Sequence, residues 1–404
     1  MGDNRGSRFY PRTLSIARSV ECLSDSAGGS PPFPAPRRAL VVMTRRIGDV
    51  LLATPLLRSL RRAWPAAQID VLLFAGCEGM LAHNPDVDQV LAVAERPSWG
   101  EQGALLGRLW RRYDIALSLL PGDRPTLYAW VAGRRRAGMV ETAPGRSWKR
   151  RLLHREVVFD DRNTHTVLMN LQLADAVGAP RCPELVAAWG DGDRLRVAEL
   201  LGAAAPPYAV LHVYPKFRYK MWREDRWIAL GRWLMEQGLR LCLSGGGDAD
   251  ERVYVASVAR GLGGAALNAA GRLSLSQTAC LIAGARLYAG CDTAATHIAA
   301  AVGTPTVALY GPSNPVKWAP WPQGHEGSGN PFGRFGSQRS GNVWLVQGVG
   351  ACVPCHLEGC ERRLASDSDC LTGLPVEKVL AACRAALAWG GARSPTLPAA
   401  AGSS

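Results

Sequence analysis

The sequence predicts an α/β protein of two doubly wound domains, each a parallel sheet with helices on both faces. Three observations carry that expectation. Short apolar runs alternate with stretches of helical periodicity along most of the 404 residues. The alternation pauses once, in the Pro- and Gly-rich stretch 178–207, and then starts again. Finally, 47% apolar content in a chain of this length is enough for two cores.

Taken in order, residues 1–36 are rich in Gly, Ser, Pro and Arg and are expected to be a disordered extension. They lack the apolar core of a signal peptide. Domain one is expected over 37–180, with strands at 39–44, 69–74, 87–93, 113–120 and 137–140. A helix from Val50 to Ala63 follows the first strand and tolerates Pro55 in its first two turns. A linker, 181–207, carries one short helix. Domain two, 208–320, has strands at 208–214, 239–244, 265–270, 286–291 and 306–310. Then come a loop and four-cysteine segment (321–372, mobile over 322–340), a helix (373–390) and a disordered tail (391–404). No apolar run reaches the eighteen residues or so that a spanning helix needs, so a cytoplasmic protein is expected.

The net charge of +13 argues for an anionic partner. Much of it sits in one stretch: Arg134, Arg135, Arg136, Arg146, Lys149, Arg150, Arg151 and Arg155, against the single acid Glu141. A solvated loop, nucleic acid, anionic lipid and a phosphorylated glycolipid all fit this charge. Seven scattered cysteines (Cys22, Cys77, Cys182, Cys242, Cys280, Cys291, Cys383) read as reduced core thiols. The other four form Cys352-x2-Cys355-x4-Cys360-x9-Cys370, which can make a tetrahedral Zn or Fe site. A redox pair at Cys-Val-Pro-Cys and four reduced surface thiols are the alternatives.

Polar groups fall at the carboxyl ends of predicted strands, where open α/β sheets bind ligands. After the strand 286–291, Asp292 occupies an N-cap position, so the amides of Thr293 and Ala294 point out of the helix start. Such a terminus carries partial positive charge and suits a diphosphate. His297 shares the face of Thr293, and Gly311-Pro-Ser313 leaves the next strand on the same edge. An ordinary βαβ unit with a plain cap and a packed histidine explains the same pattern. Gly48-Asp49 leaves the first strand of domain one; its carboxylate can take a proton from an attacking hydroxyl or simply cap a helix. Arg45 and Arg46 beside it can hold an anion. Lys220, after the first strand of domain two, can neutralise a departing diphosphate without a metal. Trp222 and Trp227 read as packing. Ser244-Gly-Gly-Gly-Asp248 lets the backbone approach a nucleotide but is not Gly-x-Gly-x-x-Gly, which weakens a dehydrogenase reading.

Asp292-Thr-Ala-Ala-Thr-His297, the Ala-Ala-Ala-Val-Gly-Thr-Pro that follows, and Gly311-Pro-Ser313 resemble the donor-site signature of glycosyltransferase family 9. These are the heptosyltransferases that build the lipopolysaccharide inner core. Ala294 stands where that family usually has Gly. Arg45-x-x-Gly-Asp49 with Pro55, and Lys220-x-Trp222-x4-Trp227, are similar to its other motifs and come in the same order.

The resemblance spans residues 38 to about 390. It implies a GT-B architecture, two Rossmann-like domains facing a central cleft. It also implies ADP-heptose as donor, a heptose of the lipopolysaccharide core as acceptor, and inversion at the anomeric carbon. Asp49 becomes the general base; Lys220 and the 292–297 helix start hold the diphosphate-sugar, with Asp248 or Glu251 at the nucleoside. The acceptor places the enzyme at the inner-membrane surface, with Arg134, Arg135 and Arg136 on its anionic groups. No catalytic metal and no nucleic-acid partner is expected. Protein-modifying members carry an iron-binding cysteine finger, which leaves a protein O-heptosyltransferase open. From a different class, a metal-binding basic nucleic-acid-binding protein explains the charge and the cysteines but none of the strand-end residues.

Overall fold

The computed structural model describes residues 33–141, 147–202, 206–327 and 329–389. The first 32 residues, Arg146 and the tail beyond 389 lie outside them. Domain one is built from β1 (Arg38–Met43), α1 (Ile47–Leu52), α2 (Thr54–Ala63), β2 (Gln68–Phe74), β3 (Gln89–Val93), α3 (Trp99–Leu109) and β4 (Tyr113–Ser118). It continues through α4 (Asp123–Ala132), β5 (Gly133–Val140), α5 (Ser147–Leu152), β6 (Arg155–Val158) and α6 (Thr166–Val177). Its six strands lie in the order β3-β2-β1-β4-β5-β6, and every pairing is parallel. The central strand shows why its sequence is apolar throughout. Ala39, Val41 and Met43 enter one core while Leu40 and Val42 enter the core on the opposite face.

Two details differ from expectation near the start. Phe33 is buried, its amide donates to the Val177 carbonyl at 3.1 Å, and its ring faces Arg135 and Arg155, so the fold begins before residue 37. The helix expected over 50–63 is two helices that break at Ala53. Pro55 has no N–H to give the carbonyl four residues back. The Thr54 hydroxyl takes that Leu51 carbonyl at 2.7 Å, and the Asn170 amide takes the Leu52 carbonyl at 3.1 Å.

The linker helix is α7 (Asp191–Leu201). Domain two comprises β7 (Tyr208–His212), α8 (Glu224–Glu236), β8 (Arg240–Ser244), α9 (Ala249–Gly261), β9 (Leu267–Asn268), α10 (Leu275–Ala283), β10 (Leu287–Cys291) and α11 (Ala294–Ala301). It ends with β11 (Thr306–Tyr310), α12 (Pro315–Trp318), β12 (Gln338–Ser340), β13 (Val343–Gln347), α13 (Asp369–Thr372) and α14 (Val376–Ala388). The sheet order is β12-β13-β11-β10-β7-β8-β9, with only β12 antiparallel to its neighbour. Domain two therefore extends past 320. β13 is a fully buried parallel partner of β11, and the Gly-rich stretch ahead of it ends in β12. The last helix, α14, belongs to this domain as well. The side chains of Val379, Cys383 and Ala386 in α14 are buried in the core of its own domain, which leaves the helix on that sheet rather than on domain one. Trp222 and Trp227 meet edge to face at 4.9 Å in that same core. Cys182 is disulfide-bonded, not a reduced thiol.

The domains meet through α1 against α11 and α7 against α10. A strap between β6 and α6 adds directed bonds. Asn314 donates to the Arg162 carbonyl at 2.7 Å, and Thr166 donates to the Lys317 carbonyl at 3.0 Å. The buried His165 accepts from the Val167 amide through Nδ1, which leaves Nε2–H to donate to the Ala319 carbonyl at 2.8 Å. No described helix is long and apolar enough to cross a membrane.

Candidate active site

Both sheets turn their carboxyl ends toward the α1–α11 contact. On the domain-one side, β1 ends at Met43 and the chain reaches α1 through Arg45 and Arg46. Asp49 lies in the first turn of α1, not at its N-cap, which is Arg46. Its carboxylate is 3.7 Å from the Arg45 guanidinium. Burial raises its pKa above the usual carboxylate value, and Arg45, the Arg46 amide and Lys220 only partly oppose this. Arg45 also lies over the Trp318 ring at 5.8 Å, and Arg46 over Phe217 at 4.4 Å. A carboxylate whose pKa is raised in this way is better suited to take a proton than a free one.

Opposite, the end of β10 delivers Asp292. The expected cap is displaced by one residue: Thr293 holds the N-cap position of α11, without a side-chain cap bond. Asp292 is thereby free to turn its carboxylate to other partners. Lys220 donates to it at 2.5 Å and the Ser313 hydroxyl at 2.6 Å; the Tyr310 hydroxyl, at 3.2 Å, shares its one proton with the Trp318 carbonyl at 2.6 Å. Burial pushes this carboxyl up, but Lys220, His297 and Ser313 outweigh it and hold the pKa below the usual value. Lys220 shows the converse: burial disfavours its charge, yet Asp292 raises it. His297 is buried, and no partner reaches its Nδ1 among the described residues. Burial pulls its pKa down to about 4, against Asp292, so the ring is neutral at physiological pH. It packs beneath Gly48, with Ala294 alongside, so the two helix starts lie close together. Gly311 is tight against Leu371 and Cys370, where a Cβ would come within 2.7 Å of the Leu371 side chain.

The glycine turn after β8 separates two acids that sequence alone left equivalent. Asp248 caps α9, accepting from the Asp250 amide at 3.0 Å and the Glu251 amide at 3.5 Å. Glu251 folds back onto the turn, and a Cβ built on Gly246 would lie 2.9 Å from its carboxylate. Burial raises the Glu251 pKa, with the Gly246 amide opposing. Asp248 is occupied as a cap, whereas Glu251 stands at the turn itself.

Two sets of expected residues are not brought to this edge. Arg134, Arg135 and Arg136 begin β5, whereas its carboxyl end supplies Met139 to the cavity beside Asp49. Met139, the cavity residue, lies roughly 16 Å from Arg134 and about 10 Å from Arg136 at about 3.3 Å per residue, both beyond a Debye length of about 8 Å. They are therefore removed from the Asp49 cavity; Arg135 and Arg136 stand with Arg155 near His154, whose pKa is lowered first by burial and then by these three charges. Among the described residues of 134–155, the solvated-loop alternative gives way to β5, α5 and the start of β6. Within that stretch, Lys149 is buried against Asp123 at 2.7 Å. The second set is the cysteines. Cys352, Cys355 and Cys360 all raise the pKa of Cys370 (to about 12, mainly through its burial), so the four share one neighbourhood. No three His, Cys, Asp or Glu side chains among the described residues converge as a metal site, so the expected tetrahedral set is not assembled here.

Sequence reasoning missed Tyr310 and Lys317. Tyr310 ends a strand and looks like core, and its hydroxyl contacts appear only once β10 and β11 pair. Lys317 follows the turn Gly311-Pro-Ser313 by four residues, but its partner on the strap is more than 150 residues away in sequence.

With this geometry in view, the likenesses to known proteins are specific. The family model for glycosyltransferase family 9 (heptosyltransferase) matches residues 106–341. Lipopolysaccharide heptosyltransferase 1 of Pseudomonas aeruginosa is 33% identical over 296 residues, covering 69% of this chain and 79% of that protein. A glycosyl transferase family 9 structure from Veillonella parvula superposes with a TM-score of 0.70 at 18% identity, over 87% of this chain and 97% of that one. An Escherichia coli heptosyltransferase solved with ADP-2-deoxy-2-fluoro heptose superposes with a TM-score of 0.58 at 21% identity, over 78% of this chain and 94% of that one.

Proposed function

This chain belongs to glycosyltransferase family 9, has a GT-B fold and is a glycosyltransferase; from that premise we propose that it transfers a heptose from ADP-heptose to the lipopolysaccharide inner core with inversion. The observation that carries the proposal is that Asp49 on one domain faces Lys220 and Asp292 on the other, close enough that the Lys220 charge opposes the burial that raises the Asp49 carboxyl and helps hold Asp292 low.

The residues then divide as follows. Asp49 accepts the proton of the acceptor hydroxyl as its oxygen bonds to the anomeric carbon. The bond from that carbon to ADP breaks on the opposite face, and the charge that develops on the diphosphate meets Lys220 and the amides of Thr293 and Ala294. Asp292 is anionic and repels phosphate, so it holds sugar hydroxyls, aided by Ser313. Glu251 takes the nucleoside in preference to Asp248. The reaction occurs at the cytoplasmic face of the inner membrane. The basic surface at Arg134–Arg136 holds the protein against anionic lipid without touching the reacting hydroxyl.

The experiment that tests the base is Asp49→Asn. Turnover drops on the order of 10²–10⁴-fold while thermal protection by ADP is retained. The wild type loses kcat/KM as pH falls through a value above the ordinary carboxylate range, because the raised pKa must be deprotonated. A variant with normal turnover eliminates Asp49 as base, and protection by UDP in place of ADP overturns the donor.

A further inference from the structure

We propose that Lys317 is an acceptor-specificity residue, whose ammonium pairs with an anionic group of the acceptor beside the hydroxyl that Asp49 deprotonates. This rests on the transferase reading above.

Lys317 lies in α12, just after the turn that carries Ser313, and is 1% exposed. A buried ammonium is costly unless an anion and hydrogen bonds compensate it. Lys149 and Lys220 are also withdrawn from solvent, and each faces a carboxylate, at 2.7 Å and 2.5 Å. Among the described residues Lys317 has no such partner. It donates to the Asp160 backbone carbonyl at 2.7 Å and sits 4.5 Å from the centroid of the Phe159 ring. Those contacts satisfy one of its three N–H donors and solvate part of its charge.

Lys317 also lines the site. Lys317, Trp318, Arg45 and Asp49 line one cavity together with side chains of domain one. The charged groups around it are Asp160 and Asp161 on the strap, and Arg45 and Asp49 on the approach to α1. His165, starting α6, feels its charge as well. Burial pulls the Lys317 pKa down to about 8, and the acids only partly oppose this. A directly paired anion is the element that its contacts lack, and a carboxylate or phosphate on the acceptor sugar supplies it. A compact ammonium with rotatable donors accepts either group, as a point charge does.

The test uses the full chain, ADP-heptose and three acceptors: the native anionic sugar, the same sugar with its carboxyl amidated, and the same sugar with its phosphate removed. Lys317→Gln keeps a donor for the Asp160 carbonyl and removes only the charge. We expect it to raise the acceptor KM about 10- to 100-fold on the native sugar, with the donor KM and ADP protection unchanged. On whichever modified acceptor lacks the recognised anion, wild type and variant become equal, which also tells carboxylate from phosphate. Lys317→Arg restores the acceptor KM and abolishes its rise above about pH 8, because arginine does not titrate there. Equal losses on all three acceptors, or no loss at all, overturn the inference and leave Lys317 as a strut for Asp160. If the Gln variant does not fold, the wild-type KM–pH profile on native and modified acceptors decides alone: a profile that is the same on all three refutes the pairing. Failure of the wild type to transfer to any acceptor sinks the functional reading itself, and this inference with it.

Discussion

Removing Lys220 tests the donor side most directly, because one side chain there serves both stability and binding. Its ammonium is 2.5 Å from Asp292, with side-chain exposures of 19% and 8%. Breaking a buried pair by deleting one partner costs about 3–5 kcal/mol, since the remaining charge stays buried. Residual exposure, together with the Ser313 and Tyr310 bonds to Asp292, argues for the low end, about 3 kcal/mol for Lys220→Met.

The pH dependence follows from the same pair. In the wild type the depressed Asp292 pKa contributes stability that is present above its unfolded value and lost as pH falls through the folded one. In the variant, burial raises that pKa against only the weaker opposition of His297 and the Ser313 hydroxyl, so the penalty is largest near neutrality and shrinks as acid protonates Asp292. Urea unfolding at pH 7 and pH 4.5 measures both values, and Asp292→Asn added to Lys220→Met should recover stability at pH 7. On binding, losing one charge-assisted contact worth about 1.5–3 kcal/mol weakens ADP roughly 10- to 150-fold. Asp292→Asn alone should leave ADP affinity equal or tighter, because Lys220 is released to the diphosphate. Additive losses in the double variant, or equal weakening of ADP by both single changes, would refute the argument.

Glu251→Ala should weaken ADP and adenosine alike, as read by calorimetry. Asp248→Ala should instead cost about 1 kcal/mol of stability through the lost cap and leave adenosine affinity nearly intact. The reverse pattern would exchange their roles. Serine at Arg134, Arg135 and Arg136 together should reduce salt-sensitive flotation with anionic vesicles while leaving the KM for a soluble acceptor unchanged. A raised KM for that soluble acceptor would return these arginines to the acceptor site.

The sequence by itself determined what depends on local pattern. Doubly apolar runs such as Leu40–Val42 must be strands covered on both faces, and their alternation with amphipathic stretches dictates parallel sheets. The strand-end positions of Asp49, Lys220, Asp292 and Gly311 follow from that alternation, so the candidate site's edge was legible from the order of elements. Short-range register was less so. The one-residue shift of the α11 cap from Asp292 to Thr293 frees a carboxylate that local preference would assign to capping.

Tertiary structure decided which end of a strand a charge occupies and what faces it. Arg134–Arg136 read as one basic cluster with 149–155 because proximity in sequence ignores strand direction. β5 carries them away from the cavity that its other end reaches. Asp248 and Glu251 became distinguishable only when the turn was folded, and the four cysteines proved neighbours without converging. β13 was hidden because a Gly-rich approach conceals a strand whose stability comes from pairing with β11. Lys317 was invisible for the most general reason. A buried charge is defined by the partners that distant segments bring or withhold, and spacing along the chain carries no record of them.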